Sequence, residues 1–230
     1  MIQETNKHKD GHKSRYDYHF TNIRLEQDIA FDPLSYENLG ESISRALDQR
    51  PVVPINNLPN FSGQGIYALY YSGNFPLYNE IAEKNRQIAG TWPLYIGKAE
   101  AQSERKGDPD QKNILDGNRL KNRISSHRTS IAQATNVDIS DFSVRYLVVA
   151  PTWVPLAEIV SIREHTPVWN SLLDGLGNHA PGTGRKDMQR PKWDMIHPGR
   201  PWAAKLRDND KSVEELEIEV HDFIAQRSSR

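Results

Sequence analysis

Two short runs constrain this chain more than anything else in it. Residues 65–73 read GIYALYYSG and residues 93–99 read PLYIGKA, so a tyrosine, an isoleucine and a glycine recur in mirrored order within about thirty positions. Both runs read as strands. Alternation puts Gly65, Tyr67, Leu69 and Tyr71 on one face of the first strand and Ile66, Ala68 and Tyr70 on the other. If the two strands pair antiparallel, Tyr67 and Tyr95 converge over one patch of sheet. The plain reading is a pair of core strands; the sharper one is an active site.

Composition narrows the setting. The chain has 230 residues, 37% of them hydrophobic, with 14 prolines, a formal net charge of −1 and no cysteine. No run approaches the ~20 apolar residues of a membrane span, and the polar start, MIQETNKHKDGHKSR, does not read as a secretion signal. Lack of cysteine excludes thiolate chemistry, disulfides and zinc ribbons, and suits a reducing compartment such as the cytoplasm. A near-neutral chain that binds nucleic acid must do so through a local basic footprint.

The rest of the chain supplies helices around the strands. Residues 1–22 are polar and without period and read as an arm. A helix is expected over 32–51, where Tyr36, Leu39, Ile43, Ala46 and Leu47 recur at three- and four-residue steps, and a proline-broken connector follows up to residue 64. Another helix is expected within 77–90, closed by Gly90. Residues 99–117 read as a turn-rich loop. In 118–134, Leu120, Ile124, His127 and Ile131 mark the buried face of an amphipathic helix with Arg123 one turn before His127. A strand is expected over 141–150, a helix over 154–165 ending before Pro167, and an acidic helix over 212–227. Residues 174–202 between them are rich in Gly, Pro, His, Arg and Trp.

These elements can gather a phenol pair (Tyr67, Tyr95), a guanidinium (Arg123), an imidazole (His127), a carboxylate (Glu158) and an amide (Asn170). That set suits phosphodiester hydrolysis. Arginine grips a phosphate bidentately. A lone carboxylate suits one Mg²⁺, which keeps much of its water. A phenol or an imidazole can accept the proton of the attacking water. Each piece alone has an ordinary explanation as strand, solvated helix face or surface acid; their order and spacing together favour the active site.

In that order and spacing the chain resembles the GIY-YIG nucleases, over roughly residues 65–172. Gly65-Ile66-Tyr67 and Tyr95-Ile96-Gly97 match the paired tripeptides, Arg123 with His127 the helix between, and AEIVSIREHTPVWN at 157–170 the segment with the metal-binding Glu and downstream Asn. The spacer between the tripeptides is longer than usual and carries its own helix. Further strings, LYNEIAEKNR, DFSVRY, WNSLLDGLGNHAPGTGR and WDMIHPGRPWA, are similar to the small type II restriction endonucleases of this superfamily that cut the palindrome CCGCGG. The resemblance implies an α+β fold, a small three-stranded antiparallel sheet flanked by helices with N- and C-terminal elaborations. The expected divisions are an arm at 1–22, a helix and connector at 23–64, a nuclease core at 65–172 and a DNA-contacting segment with an acidic helix at 173–230.

The same resemblance implies roles. Tyr67 activates the water or partners the group that does; Tyr95 positions phosphate or water; Arg123 binds the scissile phosphate; His127 assists proton transfer; Glu158 holds Mg²⁺, for which Mn²⁺ substitutes; Asn170 fixes nearby geometry; Lys98 is an added cation. The substrate is double-stranded DNA, the working form a homodimer, and a cognate DNA methyltransferase belongs to the same system without being a physical partner. A site of G and C draws on Arg and Lys for readout, and Arg105, Lys106, Arg185, Lys186, Arg190, Lys192 and Arg200 are the candidates. His179 and His197 read as satisfied loop histidines. Another GIY-YIG nuclease of repair or mobile elements, or a catalytically silent DNA-binding protein, are the alternatives. The first usually carries a separate DNA-binding module, and none is visible.

Overall fold

A computed structural model describes residues 32–100, 117–182 and 188–228 of the chain. Residues 32–35 form a turn in which the Leu34 N–H donates to the Asp32 carboxylate. From Tyr36 onward the elements run α1 (Tyr36–Asp48), β1 (Val53–Pro54), β2 (Gly65–Tyr71), α2 (Asn79–Gln87), β3 (Pro93–Ala99), α3 (Arg119–Ala132), β4 (Phe142–Val148), α4 (Val154–His165), α5 (Val168–Ser171), α6 (Lys192–Ile196) and α7 (Val213–Ser228).

The sheet has four antiparallel strands in the order β1-β4-β2-β3, not three. The extra strand is two residues long. Val53 and Pro54 lie opposite Val144 and Ser143 of β4. Proline has no N–H to give a ladder, so it belongs at a sheet edge, where β1 sits.

β2 lies between β3 and β4, and all seven of its residues are buried. Both alternating faces are therefore covered by helices. Tyr67, Leu69 and Tyr71 join a large apolar cluster with Leu120, Ile124 and Ile131 of α3, Trp169 of α5, Trp193 of α6 and Val220 of α7. Ile66, Ala68 and Tyr70 join Leu47 of α1 with Val154 and Ala157 of α4. The glycine that opens β2 serves close approach. Gly65 has φ +154°, and any side chain there would run into the Leu147 carbonyl of β4.

The spacer helix is shorter than the 77–90 expected. It is tied to the end of the strand pair by Asn85, whose amide donates to the Tyr71 and Trp92 carbonyls and accepts from the Trp92 N–H. α4 ends at Thr166, in the left-handed region at φ 38°, and Pro167 starts α5. α7 reaches this corner: Arg227 donates to the Thr166 carbonyl at 3.3 Å and lies over the Trp92 ring at 4.5 Å. No helix among the described residues is long and apolar enough to cross a membrane.

Candidate active site

The register sets the site. Tyr67 lies directly opposite Gly97, and Leu69 opposite Tyr95, so both tyrosines project from one face of the sheet. Their ring centroids are 6.1 Å apart. Gly97 is glycine for a steric reason: a methyl there would lie 2.5 Å from the Tyr67 hydroxyl and 2.7 Å from Cε1 of Tyr95. The missing side chain is the space that the Tyr67 hydroxyl uses.

α3 crosses this face with Leu120, Ile124 and Ile131 anchored in the core. The same face carries His127, fully buried, with its ring 5.6 Å from Tyr67 and 5.1 Å from Tyr95. The Tyr67 hydroxyl and His127 Nε2 are both buried and without a hydrogen-bond partner among the described residues. Five other buried side-chain atoms among the described residues also lack a hydrogen-bond partner, but these two stand together, on facing rings beside Tyr95.

Their protonation follows from burial. Burial pushes the Tyr67 phenol well up, and nearby Tyr95 adds to this, while the Arg123 guanidinium works against it. Tyr95 is also raised by burial, opposed first by Arg123. Burial, helped by Arg123, Arg200 and His179, lowers His127 to about 3, so its imidazole is neutral at working pH.

Beside this buried group opens a cleft of about 590 Å³. It is lined by Tyr95, Lys98, Arg123 and Glu158, together with Glu100, Arg119, Asn122, Ser126 and His179. Lys98 Nζ stands 2.9 Å from Glu100 and 3.6 Å from Glu158, and the Glu100 contact is the main reason that its pKa is raised. Burial raises the Glu158 carboxyl, and Lys98 opposes the rise. No cluster of three or more acidic, His or Cys groups occurs among the described residues, so Glu158 stands as a single hard-oxygen donor with Glu100 across Lys98.

The Eco29kI GIY-YIG domain family matches residues 59–224, most of the chain and every residue just placed. The chain belongs to this family. It is thus a restriction-type DNA endonuclease of GIY-YIG fold. No curated protein matches the chain.

Within this Eco29kI-type site the expected residues fall into three places. Tyr95, Lys98, Arg123 and Glu158 line the cleft. Tyr67 and His127 are buried against Tyr95. Asn170 is not a cleft residue; its amide is engaged by Ile96 of β3. Of the DNA-reading candidates, Arg105, Lys106, Arg185 and Lys186 lie outside the described residues. Arg190 is partly buried, paired with Asp208 at 2.9 Å, and donates to the Ala203 carbonyl. Lys192 opens α6, half-buried.

Arg200 is a correction. It is 1% exposed, sandwiched between Trp193 and Trp202, and bonded in a fork to Asp194. Its remaining donors go to the carbonyls of Gly175, Leu176 and Asn178. A guanidinium used up inside the protein does not reach a base. His197 is also structural. Trp169 donates to the Tyr78 hydroxyl, which donates to His197 Nε2, leaving Nδ1–H for Asn136 at 3.0 Å. That relay fixes a neutral tautomer, and burial lowers His197 to about 3.

His179 lies in a loop, as expected of it, but that loop also brings it to the lining of the cleft. Nothing local in the sequence marks it. Arg119, Asn122 and Ser126 were missed as well, although a signal for them exists: with Arg123 they fall at i, i+3, i+4 and i+7 and so share one helix face.

Proposed function

We propose that this endonuclease is a type II restriction enzyme that hydrolyses both strands of a short GC-rich palindrome, CCGCGG, as a homodimer with Mg²⁺. The observation that carries the reading is the cleft in which Arg123, Lys98, Tyr95 and Glu158 meet directly beside the orphaned Tyr67 hydroxyl and His127 Nε2. Arg123 holds a non-bridging oxygen of the scissile phosphate through its planar fork. Tyr95 orients phosphate or water by its hydroxyl. Proton acceptance from the attacking water falls to the Tyr67–His127 pair. His127, held neutral, keeps a free lone pair on one ring nitrogen, and Tyr67 lies in the field of Arg123.

Glu158 fits as the residue that would hold the metal. Its ion-pair partner is Lys98 at 3.6 Å, longer than a good hydrogen bond, and Lys98 leans closer to Glu100, so the Glu158 oxygens are not taken up by a tight pair. A single carboxylate leaves most positions to water and phosphate, as Mg²⁺ prefers, and Mn²⁺ accepts the same ligands. When bound, the ion supplies charge stabilisation at the phosphate and makes a bound water more acidic.

Homodimer symmetry suits a palindrome, because one site per chain must cut two strands. The interface would lie in the polar spacer, the 32–47 helix, on which Tyr36 is exposed, or the N-terminal arm. The G and C content comes from the strings that resemble CCGCGG cutters, and Lys192 and Arg190 stay candidates for its readout. A restriction role places the enzyme in a bacterial cytoplasm alongside a methyltransferase that protects host sites.

The test is digestion of plasmids with and without one CCGCGG site, in Mg²⁺, Mn²⁺ or EDTA. A single linear product only from the site-bearing plasmid and only with metal is expected. Random nicking of both plasmids, or cleavage in EDTA, would sink the reading.

A further inference from the structure

The buried Arg200 carries more than the stability of its own segment. It binds the carbonyls of Gly175, Leu176 and Asn178, on both sides of Gly177. It cannot drift, because Asp194 holds it in a fork and two indole rings cover its faces. Gly177 in turn backs onto the cleft: a methyl built on it would lie 2.6 Å from Nη2 of Arg123 and 3.6 Å from Cε1 of His127. His179, two residues on, lines the same cleft.

We infer that Arg200 and Gly177 are positioning residues for Arg123: the loop pinned by Arg200 is the wall that sets where the Arg123 guanidinium can stand. A long, rotamer-rich arginine at a cleft needs such a wall, since a misplacement of ~1 Å in a reacting group can cost ~10²-fold in rate. Glycine at 177 brings the wall as near as backbone allows. Its φ is not in the left-handed region, so alanine is permitted by the backbone, and the nearest atom it meets is the tip of a flexible side chain. Gly177→Ala thus moves the Arg123 head group and leaves the fold in place.

The inference rests on the reading of Arg123 as phosphate ligand, and a double-mutant cycle separates the two. Single-turnover cleavage of a CCGCGG duplex, DNA affinity and melting temperature are measured for wild type, Gly177→Ala, Arg123→Ala and the double variant. Gly177→Ala is expected to lose ~10- to 100-fold in rate at an unchanged melting temperature. On the Arg123→Ala background it should cost nothing further. Arg200→Lys, which keeps the charge but not the fork, should show the same non-additivity with Arg123→Ala.

Wild-type rate in Gly177→Ala, losses that multiply in the double variant, or a Gly177→Ala chain that does not fold would each overturn the positioning role. Wild-type rate in Arg123→Ala would instead remove Arg123 as phosphate ligand. An inactive Arg123→Ala beside a fully active Gly177→Ala sinks only the inference made here.

Discussion

Asn170 grips Ile96 as a neighbouring strand would. Its Oδ1 accepts from the Ile96 N–H and its Nδ2 donates to the Ile96 carbonyl, both at 2.8 Å. β3 is the edge strand, so this one amide supplies a ladder rung on its open side, between Tyr95 and Gly97. Asn170→Asp keeps the size but replaces a donor with a charge facing a carbonyl. A loss of ~1–3 kcal/mol in unfolding free energy is expected. Cleavage should fall with it, because Tyr95 and the space at Gly97 depend on that rung. Denaturant melts and single-turnover rates check both; an active, fully stable Asn170→Asp would contradict the clamp.

Glu158→Gln removes the charge while keeping the shape. Loss of an outer-shell metal partner costs ~10- to 100-fold, so loss of this direct donor should exceed that in rate. DNA affinity should hold or tighten, since a negative charge near phosphate is gone. Fluorescence anisotropy and cleavage on the same duplex measure the two effects. Wild-type-like cutting would falsify the assignment.

The two proton acceptors have different pH signatures. His127, at about 3, is already neutral throughout the working range and contributes no inflection there. A free tyrosine titrates near ~10, and burial holds Tyr67 above that in the chain alone. If bound cation and Arg123 bring the phenol down in the DNA complex, the single-turnover rate rises with pH through neutrality and then flattens. Tyr67→Phe should abolish the rise, and His127→Gln should scale the rate without changing the profile. The reverse pattern would make the imidazole the base.

Buried histidines also shape stability. His127 and His197 are held near 3 in the folded chain against ~6.5 when unfolded, so between these values the unfolded chain binds more protons. The stability they confer is present above pH ~6.5 and is lost as pH falls toward 3, by at most ~1.4 kcal/mol per pH unit for each. His197→Gln should flatten the slope of unfolding free energy between pH 6.5 and 4. An unchanged slope would show that His197 does not stay neutral in the fold.

Much of this was readable beforehand because it rests on period. The alternation in 65–71 and the four-three-four spacing of Leu120, Ile124, His127 and Ile131 each foretold a buried face, and the faces meet as expected. β1 was hidden because two residues have no period and one of them is proline. Arg200 was misread because composition does not distinguish an arginine facing DNA from one facing Asp194 and three carbonyls. His179 could not be placed either, since a loop carries its side chain wherever its anchors put it, and the anchor lies 21 residues later in the sequence.

The clasp of Arg227 on Thr166 has a meaning for how this enzyme comes into being. The helix that bears it holds none of the motif residues, yet it braces the corner joining the Glu158 helix to the Asn170 turn. It also emerges from the ribosome after all of them. A nascent chain can display every letter of the motif and still lack the brace that squares carboxylate and amide to the sheet. For a protein whose work is cutting DNA, the corner that joins carboxylate and amide is thus held partly by the last stretch of chain to be made.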